Sequence, residues 1–176
     1  MKENKVALTF VTIAAILVLL CGAFFTMGGI VNSRSTIPSG WYWKVDKPLG
    51  IGKTIVFCPP NRPEFQAALN RGIIDPGSCP DGYDSIMLKV AAKFKNRVTI
   101  NADGVYVNDV LYPNSKPLAQ DREGHPRSIS ALENYELKED EILLMSDIDG
   151  NAFDSRYFGL VDVDQVDSVI NPVLQW

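Results

Sequence analysis

From Val6 to Val31 the chain runs for 26 residues without one charged side chain. At about 1.5 Å per residue a helix of that length reaches roughly 39 Å, against a bilayer hydrocarbon core of about 30 Å. Such a run spans a membrane with some tilt, or leaves its Gly28-Gly29 end among the headgroups. A cleaved signal peptide would want an apolar core of about 7–15 residues and a small-residue cleavage site, and this run is too long. A lipoprotein site at Cys21 would need a small residue before it, where Leu20 stands. A buried helix of a soluble domain rarely goes this far without a charge. The reading is a cytoplasmic tip and signal anchor, residues 1–31, followed by a single domain, residues 32–176, long enough to bury its own core.

Composition enters to exclude. A chain that is 46% hydrophobic and 22% charged is globular rather than disordered. A net charge of −4 with no basic stripe argues against nucleic acid as a partner. Lys2 and Lys5 before the run face only Arg34 and Lys44 just after it, a thin margin for orientation. Cysteines bear on it too. Cys58 and Cys79 lie in Pro-rich turns of the polar part, and a bridge between them would close a loop of about 20 residues, worth about 3 kcal/mol in an oxidising compartment. Two unpaired thiols are the other reading. Neither a Cys-x-x-Cys pair nor a histidine partner is near, which argues against zinc.

Beyond the span the pattern is of short β segments and turns. Residues 41–45, 54–57, 86–94, 97–100, 105–107, 110–112, 141–146, 158–161 and 166–173 read as strands. Residues 61–72 read as the one short helix of the soluble part, with Asn61 and Glu64 forming a capping box and Gly72 stopping it. Residues 113 to about 138 read as a long polar loop. The fold class is mostly β, with an N-terminal transmembrane helix.

Three stretches carry potential chemistry. Asn32-Ser-Arg-Ser-Thr-Ile-Pro-Ser-Gly-Trp-Tyr-Trp43 places hydroxyls at Ser33, Ser35 and Thr36 where the chain would leave the membrane. A hydroxyl attacks only when a base takes its proton. His125, the one histidine, sits among turn formers and reads as a solvated loop residue. That leaves lysine, and Lys89 is the unusual one. In Ile86-Met-Leu-Lys-Val-Ala-Ala92 a strand would put Ile86, Leu88, Val90 and Ala92 on a core face, and Met87, Lys89 and Ala91 on the other. Such a lysine is either a desolvated base or a snorkelling side chain with its head in water. In Phe153-Asp-Ser-Arg-Tyr-Phe-Gly159, Asp154 and Arg156 would share a strand face and pair, either to orient the lysine or as a structural ion pair. Asp147-Ile-Asp-Gly-Asn151 lacks the ligand spacing of a calcium loop and reads as a polar turn.

Ser33-Arg-Ser-Thr-Ile-Pro-Ser-Gly-Trp-Tyr42 after a span, Leu88-Lys-Val-Ala-Ala92 and Asp154-Ser-Arg-Tyr-Phe-Gly159 together resemble the signal peptidase I family of serine/lysine peptidases. More narrowly they resemble its TraF-type conjugative-transfer members, as do Cys58-Pro-Pro, Arg71-Gly, Cys79-Pro and the closing Pro172 to Trp176. The resemblance implies the signal peptidase I-like β fold, a single-pass protein of the bacterial inner membrane, and a peptidase domain in the periplasm. It implies Ser35 as nucleophile with Ser33 as oxyanion donor, from the pattern Ser-x-Ser-x-x-Pro. Thr36, two before Pro38, is the alternative that TraF-type chains favour. It implies Lys89 as general base, Asp154 and Arg156 in support, and no cofactor or metal. The substrate would be a secreted, pilin-like precursor of a conjugation (type IV secretion) apparatus, whose components are further possible partners beside the lipid bilayer. Hydrolysis and cyclisation are both open. The sequence departs from the family in having one residue fewer between Lys89 and the strand turn that follows, at Lys95-Asn96, where Gly-Asp is usual, and at Ala152, where a serine is often found. The departures at Lys89 and Ala152 motivate the rival reading, a non-catalytic binding or assembly subunit.

Overall fold

The computed structural model describes residues 2–121 and 123–176; Met1 and Arg122 lie outside the described residues. The uncharged run divides in two. Helix α1 (Lys2–Thr26) takes most of it, and its Lys5–Thr26 part is long and apolar enough to cross a membrane. A turn at Met27-Gly28 then leads into strand β1 (Gly29–Asn32), so residues 29–31, read above as span, belong to the β domain. The junction is packed. The Phe24 ring centroid lies 5.8 Å from that of Trp41 and 5.5 Å from that of Trp43. A Cβ at residue 29 would stand 2.4 Å from the Phe24 ring, so only glycine lets helix and strand approach this closely.

The rest follows as β2 (Gly40–Val45), β3 (Thr54–Phe57), α2 (Pro63–Asn70), β4 (Ile86–Ala92), β5 (Arg97–Asn101), β6 (Gly104–Val107), β7 (Val110–Leu111), β8 (Leu132–Glu136), β9 (Glu141–Met145), α3 (Ser155–Phe158), β10 (Val161–Asp162) and β11 (Val166–Gln175). One sheet has the order β1-β2-β11-β3-β4-β9-β10, and a smaller one the order β7-β6-β5-β8. The mostly β class with a membrane-length N-terminal helix is therefore observed. The C-terminal strand, not β3, lies beside β2, because β11 pairs with both β2 and β3. It thereby backs the strand that follows the hydroxyl-rich loop.

The alternation expected along β4 is present. Ile86, Leu88 and Val90 are buried in the larger core with Ile55, Phe57, Phe65 and Phe158, while Met87 and Lys89 are half-buried on the opposite face. Ala92 departs from the expectation. The pairing of β4 with β9 shifts between Val90 and Ala92, and both Ala91 and Ala92 enter a second core with Val98, Ile100 and Val105. A bulge of this kind bends the strand and hands it from one core to the other.

Cys58 and Cys79 are disulfide-bonded, with Cα atoms 5.5 Å apart, and α2 lies inside the loop they close. The helix starts later than the capping pattern suggested. Arg62 is its N-cap without a side-chain bond, Pro63 takes the first turn, and Asn61 instead accepts from Gln66. Proline presets that first turn at no cost in lost donors. Two further differences have local causes. β8 lies in the segment read as loop; Leu-Glu-Asn-Tyr-Glu is too polar to show a buried face and pairs only along β5. Residues 155–158, partly read as strand, form one helical turn because the Asp154 side chain caps the Arg156 N–H at 3.1 Å.

Candidate active site

Between β1 and β2 the chain makes a tight loop of residues 33–39. Ser35 is exposed at its turn and Thr36 half-buried, and both line a cleft of about 380 Å³. The same cleft is lined by Ile73 and Ile74 after α2, by Ile86 of β4, and by Asp149, Asn151, Ala152 and Phe153. Ser33 lines a neighbouring cleft of about 450 Å³ with Asp84, Ser85 and Met87. Arg34, between the two serines, donates to Asp75 at 2.6 Å and Asp84 at 2.9 Å. These pairs are well exposed and so contribute little to stability. They do tie the hydroxyl loop to the disulfide-closed excursion.

Lys89 lies two residues from Met87 on the same face of β4, and Met87 packs on the small cluster of Ile37, Tyr42, Val56 and Ile170 beneath the hydroxyl loop. Lys89 is not among the residues lining either cleft. Its ammonium donates to Asp147, with both side chains about two-thirds buried. Asp147 is the residue the sequence reading missed, set aside there as part of a polar turn. β9 runs antiparallel to β4 with Met145 opposite Lys89, which delivers residue 147 to the lysine. A carboxylate just beyond a strand that flanks an apolar lysine strand is the signal that could have found it.

Lys89 is bonded to Asp147, whereas the Asp154 carboxylate is bonded to Arg156. That carboxylate receives Arg156 Nε and Nη2, both at 2.7 Å, and the N–H groups of Ser146 and Arg156, both at 3.1 Å. Both side chains are fully buried, as an ion pair built across a helix cap rather than along a strand. Burial pushes the Asp154 carboxyl up, while the guanidinium and the N–H groups act against it. Arg156 also donates to the carbonyls of Asn114 at 2.9 Å and Gly150 at 3.1 Å, and Asn114 donates to the Asp147 carbonyl at 2.7 Å. The pair thus pins the 146–151 loop, one part of which meets Lys89 while another lines the cleft of Ser35.

Tyr112 is a second group missed in the sequence. Burial first, then the charges of Asp147 and Asp154, push its phenol up, so it stays neutral beside the loop. Ala152 is buried where the family's serine was looked for. His125 is half-exposed, 3.4 Å from Asp121, as a loop histidine. Among the described residues no cluster of three or more His, Cys, Asp or Glu is placed to hold a metal.

An N-terminal apolar helix, an antiparallel β domain and hydroxyls on the loop beside the helix define the class. The family model of signal peptidase, peptidase S26, matches residues 4–174, and the chain belongs to that family of serine peptidases. Within it the chain is of the TraF type. Plasmid transfer protein TraF of Escherichia coli is 37% identical over 173 residues, covering 98% of this chain and 97% of its own. A second Escherichia coli protein of that name is 41% identical over 158 residues, covering 90% and 89%. Conjugal transfer protein TraF of Agrobacterium tumefaciens is 31% identical over 178 residues, covering 97% of each. A crystal structure of a signal peptidase I from Enterococcus faecalis, 19% identical, overlaps 70% of this chain and 97% of its own at a TM-score of 0.37.

Proposed function

We propose that this chain is a serine endopeptidase of the bacterial inner membrane, held by α1 with the β domain, residues 29–176, in the periplasm, that matures a precursor of a conjugation (type IV secretion) apparatus. The pilin precursor is the proposed substrate. The observation that carries the reading is the 146–153 loop. It meets Lys89 through Asp147 and lines, through Asp149, Asn151 and Ala152, the cleft that holds Ser35 and Thr36.

Ser35 Oγ attacks the scissile carbonyl carbon as Lys89 Nζ takes its proton, with Thr36 the alternative nucleophile. The tetrahedral oxyanion is held by backbone N–H groups and the Ser33 hydroxyl, each such donor contributing about 3–4 kcal/mol. Collapse breaks the C–N bond, and the leaving amine takes the proton from Lys89. The acyl group then passes to water, giving a free carboxylate, or to an amine of the substrate, closing a ring and releasing no acid. Asp154 and Arg156 support this by fixing the loop. Lys89 has to be uncharged to act, so the ion pair with Asp147 must open, or hand its proton to the carboxylate, before attack. That pair is also what favours the rival reading, in which Lys89 is permanently tied and the chain is a binding or assembly subunit.

The test is cleavage of the pilin precursor, followed across pH, by the full-length protein and by Lys89→Ala. Cleavage by the wild type that is lost in Lys89→Ala is the result expected. Wild-type protein that leaves the precursor intact at every pH would contradict the peptidase reading and leave its rival.

A further inference from the structure

Asn32 closes β1 and is only 2% exposed, yet nothing in the proposed chemistry uses it. Its amide nitrogen donates to the carbonyls of Arg34 at 3.0 Å, Ile37 at 3.0 Å and Pro38 at 3.1 Å. Its carbonyl oxygen accepts the Arg34 N–H at 3.1 Å. Every one of these partners is backbone of the hydroxyl loop. The contacts fall immediately before Ser35 and immediately after Thr36, and they leave those two residues untouched. A second buried group works from the far side: the Tyr42 hydroxyl donates to the Pro38 carbonyl at 2.6 Å and itself accepts from Gln175 at 3.0 Å.

We propose that Asn32 is a positioning residue for the nucleophile, its amide bracketing the Ser35-Thr36 turn so that the hydroxyl is held ready for attack. The proposal rests on the peptidase reading above. A buried amide is the side chain suited to the place, because it offers donors to several carbonyls and an acceptor to one N–H without a charge. Chain flanking the turn is otherwise held by few interactions. The Arg34 ion pairs are exposed, and Ile37 is fixed by packing in its small cluster. Freed of the amide, the turn keeps its residues and loses its aim. A misplacement of about 1 Å in an attacking group costs on the order of 100-fold in rate.

Asn32→Asp keeps the size of the side chain and replaces its donors by an oxygen facing the same carbonyls. In detergent-solubilised full-length protein acting on the pilin precursor, kcat is expected to fall by about 100-fold with KM changed by less than about threefold. A purely structural role would instead lower the folded fraction and leave kcat per folded molecule unchanged, which overturns the proposal. Tyr42→Phe, which removes a single hydrogen bond at Pro38, serves if the aspartate variant does not fold. A drop in kcat of roughly three- to tenfold with KM unchanged supports the proposal, and wild-type kcat overturns it. Lys89→Ala run in parallel separates the two readings: activity surviving there removes the peptidase site itself. Lys89→Ala inactive beside a fully active Asn32→Asp removes only the role of Asn32.

Discussion

Lys89→Ala is expected to lower the rate of precursor processing by about 10²–10⁴-fold, the range set by loss of a positioned general base. Lys89→Arg sharpens the expectation. A guanidinium keeps a cation facing Asp147, but it does not give up its proton in a protein. It should therefore fold like the wild type and be as inactive as the alanine variant. Loss of activity in Lys89→Ala with near-normal activity in Lys89→Arg would mean the residue supplies charge and packing, not base chemistry. The variants are compared by thermal melts beside rates, since only the combination tells these roles apart.

The second large effect concerns stability. Asp154→Asn removes the charge facing Arg156 while keeping nearly the same shape, and leaves a guanidinium buried without its counter-ion. Breaking a buried pair from one side costs about 3–5 kcal/mol. Arg156→Met added to Asp154→Asn recovers only part of this, because the carbonyls of Asn114 and Gly150 then lose the donor that Arg156 gave them. The same double variant should loosen the 146–151 loop and so weaken catalysis beyond what the melt accounts for. Urea unfolding of the single and double variants measures the coupling. Additive effects would contradict a shared network.

What the sequence revealed was what local chemistry carries. The charge-free run, the alternation through Ile86-Met-Leu-Lys-Val and the Asp154–Arg156 pairing are all visible within a few residues of one another, and the structure contains each. The partner of Lys89 was not visible. Asp147 lies 58 residues away, and only the antiparallel pairing of β4 with β9 brings it in. Asn32 was hidden differently. It opens the hydroxyl-bearing stretch without a hydroxyl of its own, and its contacts form only once the chain folds back from Ile37 and Pro38 onto it. Asp154 and Arg156 read as partners because two residues apart on a strand share a face, and they do pair, though not along a strand. The aspartate's own preference for capping a helix turned that segment into α3 and aimed its carboxylate at Arg156.

A single claim underlies the rest: the amine on β4 draws a proton from an alcohol at the bilayer exit. Stopping the full-length protein with pilin precursor at low pH during turnover, then mapping the covalent acyl-protein by mass spectrometry, measures it directly. An acyl group on Ser35, or on its alternative Thr36, formed by wild-type protein and absent from Lys89→Ala, is the result expected. Acylation anywhere else in the chain, or an equal yield from Lys89→Ala, would contradict it.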